Sequence, residues 1–145
     1  MSKYDVAIIG GGPAGVFAAY ELAEKKPELR ILVLETGRDI YTRTCPISTG
    51  KVESCIGCKP CSIMRGFGGA GAFSDGKYNF TTQFGGWLNE YLPDAKVMDL
   101  INYVDKINMK HGAPAKVFST ENSNIGQLAL QHDLHLLSAS VRHLG

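Results

Sequence analysis

Tyr4-Asp5-Val6-Ala7-Ile8-Ile9-Gly10-Gly11-Gly12-Pro13-Ala14-Gly15 opens the chain, and an acidic residue, Glu35, closes the next apolar run, Ile31-Leu32-Val33-Leu34. The apolar run to Ile9 reads as a strand. It feeds a turn in which Gly10 permits a tight reversal, Gly12 leaves room for a pyrophosphate, and Gly15 lets the following helix pack closely on the strand. That helix carries Val16, Ala19, Tyr20, Leu22 and Ala23 at helical spacing and is expected to end before Pro27. Its N-terminus offers unpaired N–H groups and the positive end of the helix dipole to phosphates. Glu35, twenty residues after Gly15, stands where a ribose diol is expected. Gly10, Gly12, Pro13, Ala14, Gly15, Glu35 and Thr36 are therefore the candidate dinucleotide-binding residues.

Glycine turns are common in loops, but here the turn sits between a strand pattern and a helix pattern with the acid at the right distance. The form Gly-Gly-Gly-Pro-Ala-Gly followed by Glu35-Thr36-Gly37 resembles the adenine-dinucleotide site of FAD-dependent enzymes of the glutathione-reductase-like type. A carboxylate at the ribose also argues against a 2′-phosphate there, since two negative groups repel.

Composition excludes more than it identifies. The 145 residues carry a formal charge of +1, and the longest basic run is Lys25-Lys26, which gives no footprint for nucleic acid. Residues 6 to 23 are apolar, yet they contain four glycines and a proline, so strand-turn-helix accounts for them better than a membrane span. No basic leader precedes them, and a cytoplasmic protein is expected.

Three zones follow. The βαβ unit covers residues 4–35. Residues 36–93 show no sustained period, and an irregular stretch of that length points to function, disorder or a bound ligand. Residues 94–145 read as helices and a strand. There Asp94 caps a helix lined by Val97, Leu100, Ile101, Val104 and Ile107 with Gly112 as its stop; a second helix spans about Thr120 to His132; and Leu134 to Ser140 forms a buried strand. His132 and His135 lie three apart, which a polar helix end explains.

All four cysteines fall in the middle zone. Cys55-Ile56-Gly57-Cys58-Lys59-Pro60-Cys61 repeats C-x-x-C twice, as in the first three ligands of ferredoxin-type clusters, and Cys45-Pro46 offers a fourth thiolate. In bacterial ferredoxins the Cys-Pro follows the triplet, whereas here it precedes it. Four readings stay open: a [4Fe–4S] cluster, a structural zinc, a redox-active dithiol, and four reduced thiols without a role.

Next comes Ser62-Ile63-Met64-Arg65-Gly66-Phe67-Gly68-Gly69-Ala70-Gly71-Ala72-Phe73-Ser74-Asp75-Gly76-Lys77, dense in small residues that allow main chain to approach a ligand and expose N–H donors. This stretch is similar to the second glycine loop of the family of uncharacterised NAD(FAD)-utilising dehydrogenases, and the similarity extends along essentially the whole chain. It implies an α/β, Rossmann-like FAD/NAD(P)-binding domain with the loop along the FAD pyrophosphate and ribityl chain. Gly69, Ala70, Gly71 and Ser74 are then flavin contacts and Lys77 a weaker one near the ring. It implies NAD(P)H as electron donor and an unknown small-molecule substrate. Family members are several times longer and complete the FAD domain with a C-terminal Gly-Asp segment that does not occur here, so residues 1–145 are expected to be an incomplete N-terminal part, inactive alone. Two other functions compete: a non-catalytic nucleotide-binding or metal-stabilised module, and a simple NAD-binding domain. A plain NAD-binding half does not need the second glycine loop. No catalytic acid, base or nucleophile stands out.

Overall fold

A computed structural model describes residues 3–121 and 123–144. The chain divides into two compact units, one running to Ser74 and the other starting at Asp75.

In the first unit β1 (Val6–Ile9) and β2 (Ile31–Leu34) pair in parallel, Val6 opposite Ile31 and Ile9 opposite Leu34, and α1 (Pro13–Lys25) connects them. This is the expected βαβ unit. Pro13 occupies the first helical turn, where its missing N–H is no loss, and the helix ends at Lys26, immediately before Pro27. Arg30 closes the open end of the strands: its backbone N–H and its guanidinium both donate to the Asp5 carboxylate. The helix buries no residue fully, and its apolar face is half-covered. From Thr36 to Ser74 the regular pieces are two short 3-10 turns, Ile40–Thr42 and Ala70–Phe73. The expected aperiodicity of this zone holds, although the chain through it is fixed by polar contacts described below.

The second unit is built on an antiparallel sheet of β3 (Lys77–Asn79), β4 (Phe118–Ser119) and β5 (Ser140–His143), with β5 in the centre. Helix α2 (Asp94–Lys110) crosses it, and α3 (Asn124–Gln131) follows β4. Arg142, opposite Tyr78 in the sheet, extends its guanidinium to Asp105 of α2 through two hydrogen bonds, at 2.6 and 2.9 Å, and donates also to the Pro114 carbonyl. Both members are about 5 % exposed. Tyr78 donates its hydroxyl to the Ile101 carbonyl at 2.8 Å, and Phe80 meets the Tyr78 ring edge-on.

Three expectations are corrected here. Asp94 is the first residue of α2, with Pro93 at the cap position and no side-chain cap. The second helix begins at Asn124 rather than near Thr120, because Ser123 caps it by accepting from the Gly126 N–H. Leu134 to Ala139 is irregular, and Leu134, Leu136 and Leu137 are each more than half exposed; the strand starts only at Ser140. The β4 strand offers two residues to pair with, and the Thr120 side chain caps the ladder by accepting from the Ala139 N–H, so nothing remains for the leucine run to pair against. On α2, Val97 is buried while Leu100 is 40 % exposed.

Candidate functional site

Three segments of the first unit converge on the N-terminus of α1. Gly10 leaves β1 with φ +104°, a conformation that favours glycine, and donates to the Leu34 carbonyl at 2.7 Å. Gly12 sits at the N-cap with no side-chain bond to the helix, and a Cβ placed on it meets no atom within 4 Å, so open space lies in front of the turn. Gly15 has the opposite reason for being glycine: a Cβ there would collide with the Gly10 carbonyl. The first-turn N–H groups of Ala14 and Gly15 precede the first intrahelical bond, Val16 to Gly12.

Glu35 braces this turn. Its Oε2 accepts from the Gly11 N–H at 2.7 Å and its Oε1 from the Gly37 N–H at 2.8 Å, with the Thr36 hydroxyl at 3.5 Å. The Gly37 and Gly11 amides hold its carboxyl below the usual carboxylate range, so it stays ionised. The Gly66 amide and the Thr36 hydroxyl act on the same carboxylate more weakly, so the turn engages it from several sides.

The second glycine loop is laid against the first. Gly68 donates to the Gly11 carbonyl at 2.8 Å, and a Cβ on Gly69 would stand 3.0 Å from Pro13 Cδ and 3.2 Å from the Gly12 Cα. Gly71 faces Pro13 more loosely, Ala70 opens the 3-10 turn, and Ser74 ends it by donating its N–H to the Gly71 carbonyl. The expected residues Gly10, Gly12, Pro13, Ala14, Gly15, Glu35, Thr36, Gly69, Ala70 and Gly71 thus lie on segments that meet at this turn, with Gly11 as the link to both Glu35 and Gly68. Lys77 belongs to the second unit, paired with Asp75 at 2.6 Å.

The residue that sequence reasoning missed is Arg43. It is 4 % exposed, and its guanidinium donates to four backbone carbonyls: Ser62 at 2.8 Å, Ile63 at 2.7 Å, Phe67 at 2.8 Å and Gly69 at 2.9 Å. Its planar fork also lies over the Phe73 ring at 4.6 Å. One side chain therefore fixes the path of the second glycine loop. A lone arginine in an aperiodic stretch carries no periodic signal; the one available clue was its position ahead of a glycine-dense loop rich in carbonyls needing donors.

Cys45, Cys55, Cys58 and Cys61 are free thiols, Cys55 and Cys58 exposed. They line one small cavity of about 30 Å³. Among the described residues, no three His, Cys, Asp or Glu groups stand close enough to hold a metal ion as placed. The Ser48 and Ile47 N–H groups, with the Ser48 hydroxyl, lower the Cys45 pKa from the ordinary thiol value. His132 is the C-cap of α3. Among the described residues no helix is long and apolar enough to cross a membrane.

Sequence comparison places the chain among known proteins. An uncharacterised protein of Clostridium beijerinckii is 29 % identical over 95 % of this chain and 23 % of its own length. The L-2-hydroxyglutarate dehydrogenase, mitochondrial, of Dictyostelium discoideum is 37 % identical over 60 residues, 41 % of this chain and 14 % of its own. An uncharacterised protein of Methanosarcina barkeri is 57 % identical over 35 residues, 24 % of this chain and 8 % of its own. The chain spans less than a quarter of the length of these curated relatives. No solved structure matches significantly. The sequence pattern of a family of Rossmann-like, dinucleotide-binding oxidoreductases matches residues 4–112, three quarters of the chain and all of the glycine site, and this chain belongs to that family, the pyridine nucleotide-disulphide oxidoreductases.

Proposed function

We propose that this chain supplies the ADP-binding part of the flavin site of an FAD-dependent dehydrogenase, which moves electrons between a nicotinamide cofactor and a small-molecule substrate. The observation that carries the reading is the pairing of the two glycine loops: Gly68 bonded to Gly11, and Gly69 against Pro13, beside a helix N-terminus. A site for NAD alone needs the first loop and not the second, which favours flavin. The family, and the dehydrogenase among the relatives, support oxidoreductase chemistry.

The residues fit the dinucleotide. The open space before Gly12 admits a pyrophosphate, and the Ala14 and Gly15 N–H groups, with the helix dipole, hold its charge. Glu35 accepts from the ribose diol in exchange for its long contact with the Thr36 hydroxyl, and repels a 2′-phosphate. Gly69, Ala70, Gly71 and Ser74 lie along the rest of the cofactor, close because they lack bulk. The flavin, when bound, supplies the hydride and electron chemistry, and the chain's part is to bind and orient it.

Gly12→Val tests this. Branched carbons then fill the space left for the pyrophosphate, starting from a Cβ that meets no protein atom within 4 Å. In the full-length protein the variant should keep its fold by circular dichroism and lose the flavin absorbance bands expected of the unmodified protein. Equal flavin content in the two would overturn the assignment.

A further inference from the structure

The cysteine segment lies outside the proposed dinucleotide site, and its geometry has its own cause. Arg43 bonds the carbonyls of Ser62 and Ile63, so the residue two before Cys45 is tied to the residue after Cys61. The stretch between is a closed loop whose two ends are thiols. Cys55 and Cys58 come from its far side at three-residue steps, and all four line the same cavity with the apolar residues Pro46, Ile47, Val52 and Ile56. A second cavity, of about 220 Å³, shares Cys58 and is walled by Arg38, Arg43, Lys59 and Arg65. Cys58 therefore borders both the apolar lining shared by the four cysteines and the cationic wall.

Four thiolates around a metal carry net negative charge, which a cationic wall offsets. Among the described residues no three of these groups already stand at metal-binding separation, so any metal centre requires the thiols to move; a mononuclear zinc asks the most, with every sulfur about 2.3 Å from one point. A cubane centre gives each thiolate its own iron and accepts a more widely spread set; the C-x-x-C-x-x-C run is also its ligand spacing. Cys55 and Cys58 are exposed, so re-orienting their side chains gives up little packing. We propose that Cys45, Cys55, Cys58 and Cys61 are the four ligands of one [4Fe–4S] cluster.

The test is metal and sulfide analysis of the protein purified without oxygen and again after reconstitution with ferrous iron and sulfide, with FAD measured separately. About four irons and four sulfides per chain are expected, with a paramagnetic signal after dithionite reduction. Cys58→Ser and Cys45→Ser should each lose most of the iron, whereas Ser54→Ala, at an exposed position that lines neither cavity, should retain it. About one zinc per chain overturns the cluster, as does the absence of iron both before and after reconstitution. FAD without iron defeats this inference alone. Iron and sulfide without FAD defeat the flavin reading alone.

Discussion

Each of the two units is organised around a buried arginine, and the two arginines are satisfied in opposite ways. Arg142 meets a carboxylate, Asp105, so its charge is neutralised where it sits. Arg43 meets only neutral partners in its four carbonyls, and among the described residues no carboxylate pairs with it. The first is a brace between a helix and a sheet. The second leaves positive charge inside a loop that, on the reading above, has anions on two sides: a pyrophosphate and four thiolates. Apolar residues play a smaller part than either, since Val97 and Ala129 are the buried hydrophobic side chains among the described residues. In a chain so thinly cored, breaking a polar clamp should cost more than trimming an apolar contact.

Arg43→Ala is expected to have the largest effect. It strands four carbonyls, each costing about 1–3 kcal/mol when buried and unpaired, so even with relaxation the loss is on the order of 3 kcal/mol. Hydrogen exchange should show lost protection over residues 62–73 while the second unit is unchanged, and FAD retention should fall with it. Arg43→Lys should not rescue, because three donors on a point charge cannot replace a planar fork. Rescue by lysine would mean that charge, and not the carbonyl clamp, is what matters.

Asp105→Asn is next. It leaves Arg142 buried without its counter-charge and should lower the melting temperature of the second unit, whereas replacing both, Asp105→Leu with Arg142→Met, should recover much of the loss. If the double variant is no better than the single one, the pair is doing more than neutralising itself.

Glu35→Ala should weaken FAD binding about tenfold to a hundredfold, the range for a charged hydrogen bond, and should also loosen the Gly11 amide in exchange experiments. The carboxyl is held below its ordinary value of 4.5 by the amides of Gly37 and Gly11. Its contribution is therefore complete above that value and lost as pH falls through the lower folded value. Acid should release the cofactor and open the turn together, and Glu35→Gln should flatten that dependence.

The smallest effect belongs to Tyr78→Phe, about 1 kcal/mol for one neutral hydrogen bond. Burial, with the Asp105 charge, pushes the Tyr78 hydroxyl up to about 12 from 10.0. The folded state thus favours the protonated form, and its contribution is full below pH 10 and declines as pH rises toward 12. Alkaline denaturation curves should lose that component in the phenylalanine variant.

The βαβ unit was legible because short apolar runs flank a stretch of helical spacing with glycine and proline at the joins, and α2 because its apolar residues recur at helical spacing up to Gly112. Gly12, Gly15 and Glu35 were legible because their spacing states a geometry. Arg43, Asp105 and Arg142 were not, since each is one polar residue whose partners lie 19 to 37 positions away. The Leu134–Leu137 run shows the converse failure. Its residues suit a strand, but a strand also needs an edge to pair with, and local pattern does not report whether that edge is free.

The clamp also bears on how this region can change over time. Because Arg43 ties the base of the loop holding residues 44–61, the segment beyond it behaves as a lasso hung from one guanidinium. Doubling the length of such a loop adds only about 0.6 kcal/mol of closure entropy. Insertions at its tip, between Gly50 and Ser54, should therefore leave the glycine loops in place, so that this stretch can be remodelled while the nucleotide cradle stays as it is.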